Sequence, residues 1–234
     1  MDQTTSRKDP YQTWFSSAIS RAIIRSPNGK THLLAAHSDV DGISTVLDKI
    51  MYNLLTITRS KEYDSRVVVA YLSLLVEWFY DSPEAVKAFL SEGSNLSWVI
   101  ETTVSFAGDA LVMGLSAALL GVCCEFLEPD AGVDGISRYA STISSITTLQ
   151  LTLPYPNLRS SLSSIITNRI GLDIFISRID RMRESKEFND VKPSFGSSGG
   201  SLEVGNKGLV ELWFEFEFVE FFKGIYGVCS IFWI

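Results

Sequence analysis

The feature that most constrains this chain is a helical period of apolar residues that recurs from residue 10 to about residue 190. Residues 64–80 read DSRVVVAYLSLLVEWFY. Val67, Ala70, Tyr71, Leu74, Leu75, Trp78 and Phe79 fall at spacings of three and four, which places them on one face of a helix. Residues 109–127 repeat the pattern with Leu111, Leu115, Ala118, Leu119, Val122 and Phe126, and residues 43–57 with Val46, Leu47, Ile50, Met51, Leu54 and Leu55. Asp64 and Asp109 stand where N-caps belong, and Pro129 stops the second run.

Shorter helices fill the intervals. Ser82-Pro83-Glu84 is a start signal, with Gly93 beyond as a C-terminal stop. Asn95 is placed to cap the next run, through Trp98 to about Phe106. Pro10 opens an early helix through Trp14, Phe15, Ala18, Ile19, Ala22 and Ile23, closed by Pro27-Asn28-Gly29. Further helices are expected at 134–149, 157–169 and 172–188. In the last of these, Leu172, Phe175, Ile176 and Ile179 should face inward. About nine helices with short turns and no strand exceed a four-helix bundle and fit a stack of helical repeats. Residues 70–81 overlay 115–126 at a shift of 45, inside the armadillo and HEAT period of about 40–47. The fold class expected is all-α, an armadillo/HEAT-like right-handed helical solenoid.

Charge narrows the partners. The chain carries −7 overall, with −9 concentrated between Glu77 and Asp134. Nucleic acid is a poor partner, because phosphate binding needs clustered Lys and Arg. The acidic middle fits either a basic protein surface or a plain solvated face. The first ten residues are polar, so no secretory signal is expected, and no apolar run reaches membrane-spanning length.

No chemistry converges. His32 and His37 lie five apart, off a shared helical face, and read as surface or capping residues. Cys123 and Cys124 sit in an apolar run without a basic neighbour and read as packed thiols in a reducing compartment. Asp39, Asp41 and Gly42 resemble the start of a calcium loop, but position twelve is Ile50 rather than Glu. The turn 132–135 is no phosphate cradle. Trp14, Trp78, Trp98 and Phe106 read as core anchors. No catalytic, cofactor-binding or metal-binding residue is assigned, no cofactor is implied, and the chain reads as a non-enzyme.

Composition changes near Phe195. GSSGGSLEVGNKG is a flexible linker, and an aromatic segment interrupted by Glu211, Glu215, Glu217 and Glu220 follows. The alternation from Glu215 to Phe218 allows a strand, and the apolar run after Lys223 is too short to span a membrane. The favoured reading is a tail foreign to the helical array, packed loosely or not at all and without a binding role.

DPYQTWFSSAI near the start, VAYLSLLVEWFYDSPEAVKAFL at 69–90, ALLGVCCEF at 118–126 and ITNRIGLDIFISRIDRMRES at 166–185 together resemble the head domain of the general vesicular transport factor family, including its plant golgin-candidate version. The resemblance covers residues 9–195. It implies an armadillo-fold head, homodimerisation, Rab GTPase and SNARE-related partners, and a cytoplasmic protein held peripherally on Golgi membranes through other proteins. The implied function is docking of vesicles before fusion in endoplasmic reticulum-to-Golgi and intra-Golgi transport. A generic armadillo or HEAT adaptor of another pathway is the alternative. The chain reads as a truncated member, since no heptad run follows Phe195. The organisation expected is a polar segment 1–9, a partial head 10–195, a linker 196–208 and an aromatic tail 209–234 foreign to the family.

Overall fold

The computed structural model describes residues 9–37, 44–60, 63–105, 108–128, 158–193 and 212–232. The helices are α1 (Pro10–Ile24), α2 (Gly29–Ala35), α3 (Val46–Thr58), α4 (Ser65–Phe79), α5 (Pro83–Ser91), α6 (Gly93–Ser105) and α7 (Ala110–Phe126). They continue with α8 (Leu158–Ser164), a π-helical segment (Ile165–Gly171), α9 (Leu172–Arg183), α10 (Lys186–Asn189) and α11 (Phe216–Phe232). Among the described residues no strand forms; His37 and Thr45 make an isolated antiparallel bridge.

The caps follow the sequence signals. Asp109 accepts from the amides of Leu111 and Val112, and Asp64 from that of Arg66, each satisfying orphan donors of a first turn. Thr45 and Asp48 form a reciprocal capping box at the start of α3. Gly93 departs from expectation: it opens α6 instead of ending α5, with Glu92 alone between the two helices. Asn95 is accordingly not a cap. It is buried in the first turn of α6, where its Nδ2 donates to the Phe89 carbonyl (3.0 Å) and closes the α5–α6 corner.

Four helices stack in order: α1 on α4, α4 on α7, α7 on α9. Sets of three, α2–α3–α4 and α5–α6–α7, repeat along the stack, and α4 and α7 start 45 residues apart, at Ser65 and Ala110. The architecture is all-α and armadillo-like. The helix α7 is apolar around its whole circumference, so it must be covered on every side. It is: Leu111 through Cys124 are all buried, against α4, α5, α6, α8, α9 and α11. At the α7–α9 crossing only glycine fits. A Cβ on Gly114 would lie 2.3 Å from Met182 Cβ and 2.7 Å from the Arg178 carbonyl oxygen.

Two elements differ from the sequence reading. In α1 the polar residues Thr13, Ser17 and Arg21 are buried with Ile24, while Phe15, Ile19 and Ile23 point to solvent. The tail is a helix rather than a strand, and it does not pack loosely. Phe214, Phe218, Val219, Phe222 and Ile225 are all at most 6% exposed. Burial of this aromatic area supplies the driving force that the reading of a loose tail had denied it. The expected helix 134–149 and the turn 132–135 lie outside the described residues, as do Asp39, Asp41, Gly42, Phe106 and the linker 196–208.

Candidate interaction surface

Three surface features stand out, and the first begins with α1. Its one charged residue, Arg21, is turned inward at 1% exposure. The outward stripe is Phe15 (55% exposed), Ile19 (64%) and Ile23 (44%), spaced four apart on one helical face. Trp14 flanks it, edge-on to Phe15 with ring centroids 5.1 Å apart. Among the described residues nothing covers this contiguous apolar stripe, and a stripe of this kind is a surface that associates.

The second is the face across α1, α4, α7 and α9, where α11 lies. At one end Arg21 Nε donates to Glu215 Oε2 (3.2 Å); Arg21 Nη2 is 3.1 Å from the same oxygen, an ion-pair contact off hydrogen-bond alignment. Glu77 of α4 stands 4.0 Å from Arg21 Nε and takes both arms of Arg25, with the Nη2 contact at 3.0 Å. The Glu77 carboxylate holds the Arg25 guanidinium above its ordinary pKa. Arg21 also lies over the Phe218 ring (5.6 Å). In the middle Phe221 meets Tyr80 edge-on (5.3 Å), while Phe214 and Phe222 close on Phe188 of α10 (5.4 and 5.7 Å). At the far end Tyr226 donates to Asp180 Oδ1 (2.7 Å), and Arg183 covers the Tyr226 ring at 3.6 Å.

The third is a cleft of about 410 Å³ between α3 and α6, lined by Leu55, Thr58, Trp98 and Thr102 with Arg59 and Glu101 among the polar residues around them. The Trp98 indole donates to Thr58 Oγ1 (2.9 Å), so the cleft wall is fixed.

Trp78 is fully buried and donates to the Lys30 carbonyl (3.3 Å), and Trp98 is 7% exposed, as core anchors should be. Trp14 is half-buried. His32 and His37 are exposed and are not brought together with other ligating groups. Among the described residues no group of three or more His, Cys, Asp or Glu could hold a metal ion. Cys123 and Cys124 are buried free thiols; burial pushes Cys124 up to about 11 and Cys123 well above its ordinary value. The acidic middle splits: Glu77 and Glu125 are engaged by Arg25 and Arg159, while Glu92, Glu101 and Glu128 are exposed. Arg21 and Tyr226 were not singled out from the sequence, and Glu215 was read there only as an interruption of an apolar run. The four-residue spacing of Phe214, Phe218 and Phe222 was the signal available for α11.

The sequence model for the head region of Uso1/p115-like vesicle tethering proteins matches residues 1–145 and 152–229. The chain belongs to this family of vesicle-tethering heads. The match runs through most of α11. Similar proteins include the intracellular protein transport protein uso1 of Schizosaccharomyces pombe, 26% identical over 76% of this chain and 16% of that protein. USO1 of Saccharomyces cerevisiae is 26% identical over 70% of this chain and 8% of its own length. Golgin candidate 6 of Arabidopsis thaliana is 35% identical over 28% of this chain and 7% of its own length. The chain thus spans at most 16% of the length of these relatives. No helix among the described residues is long and apolar enough to cross a membrane.

Proposed function

We propose that this chain is a protein-binding scaffold that docks transport vesicles before fusion, in endoplasmic reticulum-to-Golgi and intra-Golgi traffic. The observation that carries the reading is the family match over nearly the whole chain. Its binding unit is residues 10–195 together with the docked helix α11. The partners proposed are a Rab GTPase and SNARE-related proteins, with a second copy of the chain as homodimer partner. Attachment to Golgi membranes is peripheral and through those proteins. The α1 stripe supports association, since it offers apolar contact area.

A pull-down tests this. The purified full chain is challenged with Golgi Rab GTPases, each loaded with a GTP analogue or GDP, and with Golgi SNARE proteins. Retention of at least one Rab in its GTP-analogue form, or of a SNARE, is expected. Retention of none, by a chain whose helical spectrum is intact, rejects the reading.

A further inference from the structure

We infer that the outward face of α1 is a lipid contact, which inserts Phe15, Ile19 and Ile23 into the packing defects of a highly curved, neutral bilayer. The face follows from the way α1 is rooted. The helix packs on α4 and α2, and Thr13, Ser17, Arg21 and Ile24 are the residues it buries. Its other side carries the bulky apolar residues. Phe15, Ile19 and Ile23 recur every fourth residue at 55, 64 and 44% exposure, with Trp14 edge-on beside Phe15. A soluble stack gains nothing from holding three large apolar side chains in water, so the face is built for an apolar medium.

Charge and polarity select that medium. Between Pro10 and Ile24 the single charged side chain is Arg21, which is 1% exposed and met by Glu77 and Glu215. The exposed residues around the stripe are Gln12, Ser16 and Ala22, with Ser20 half-buried. Ser20 turns its hydroxyl back onto its own helix, donating to the Ser16 carbonyl (2.9 Å). A protein interface surrounds its apolar centre with a polar rim of directed hydrogen bonds and is enriched in arginine. This rim is small and uncharged. An anionic lipid surface is equally unsuited, because it is held by Lys and Arg on the polar face of a helix, and the chain carries −7. Neutral lipid with spread headgroups needs apolar bulk and no countercharge. A helix of this kind binds through apolar burial alone, and so depends on defects that expose the acyl region.

The contact is weak by itself. Three partly exposed side chains present less apolar surface than a myristoyl chain, whose hold on a membrane is already marginal and reversible. It therefore adds to attachment through proteins and does not replace it. What it contributes is a preference for the strongly bent membrane of a small vesicle over a flat one. The inference concerns lipid alone and stands apart from the Rab and SNARE reading above.

Flotation of the full chain with protein-free liposomes tests it. The liposomes are monounsaturated phosphatidylcholine, either about 30 nm or about 200 nm across. At equal lipid, the bound fraction should be several-fold greater on the small ones, and added phosphatidylserine should not increase it. Phe15→Ser with Ile19→Ser should reduce flotation on small liposomes at least about ten-fold. Tyr52→Ser, which removes another exposed ring at 64%, should leave flotation intact. Both changes face solvent, so the helical spectrum should match that of the parent. If the double variant loses its helical spectrum, Ile19→Ser alone, at the most exposed of the three positions, carries the comparison. Equal flotation of parent and stripe variant overturns the inference, as does binding that ignores liposome size. A parent that does not float overturns it too; if light scattering then shows a dimer that the stripe variant dissolves, the stripe is a protein interface.

Discussion

Arg21 and Glu215 stand 194 residues apart in the chain and form an ion pair 3.1 Å long, in which the arginine is 1% and the glutamate 13% exposed. A buried pair contributes little net stability against a well-packed apolar pair, but removing one partner strands a charge. Glu215→Ala should weaken docking of α11 by about 1–2 kcal/mol, less than for a fully stranded charge, because Glu77 remains 4.0 Å from Arg21. The loss should appear as faster amide exchange in α11, with α4 and α7 keeping their protection. The double variant Arg21→Met with Glu215→Leu should recover most of the loss. Equal exchange in Glu215→Ala and the parent would show that the pair does not hold the helix.

Gly114→Ala tests the α7–α9 crossing. The added carbon meets a Cβ and a backbone carbonyl, neither of which can swing away. Overpacking of this kind costs about 1–3 kcal/mol. Shortening Met182 to Ala in the same chain should not relieve it, because the contact is with Met182 Cβ itself. A melting temperature unchanged by Gly114→Ala would place the two helices further apart than described here.

Leu119 tests the middle of the stack. It is fully buried in a helix covered on all sides. Leu119→Ala should therefore lower unfolding stability by about 2–5 kcal/mol in urea titration, through lost transfer energy and a cavity. A midpoint equal to that of the parent would remove Leu119 from the core.

The stacked helices were legible because their apolar spacing is local. Leu47, Ile50 and Leu54 in α3, and Leu74, Leu75 and Trp78 in α4, repeat within one helix, and the same residues are buried. Phe175 behaves likewise at 1% exposure, with Ile176 and Ile179 packed beside it. What failed depended on distant partners. In α1 the sequence pointed only to apolar residues, yet Arg21 is turned inward, where Glu77 and Glu215 meet it. The tail was misread for the same reason. Its glutamates look like interruptions in an apolar run until one of them is matched to an arginine near the other end of the chain. Gly93 misled because a glycine that ends one helix and one that opens the next are alike in sequence when a single residue separates the two.

The thiols carry a pH dependence. Burial raises the Cys124 pKa in the folded state to about 11, above the ordinary value near 8.5 in an unfolded chain. Between those values the unfolded chain gives up the proton first, so the folded state binds more protons and stability falls as pH rises. Below about pH 8.5 the contribution is complete. The parent should lose roughly 2 kcal/mol more than Cys124→Ala between pH 7.5 and pH 10 in urea titrations. In the native state at pH 8 Cys123 and Cys124 should not react with an aromatic disulfide reagent, and all three cysteines should react in urea. Parallel curves for parent and variant, or rapid native reaction of all three, would contradict this burial.

The central claim is that a helical stack of this family captures vesicles through protein contacts, and vesicle capture tests it most directly. The full chain is immobilised on beads at a density that stands in for any longer rod, and is offered endoplasmic reticulum-derived vesicles with cytosol and either a GTP analogue or GDP. The account predicts vesicle retention several-fold above blank beads with the GTP analogue, and loss of that retention when vesicle surface proteins are shaved with protease. Retention no greater than on blank beads, or retention unchanged by shaving, would contradict it.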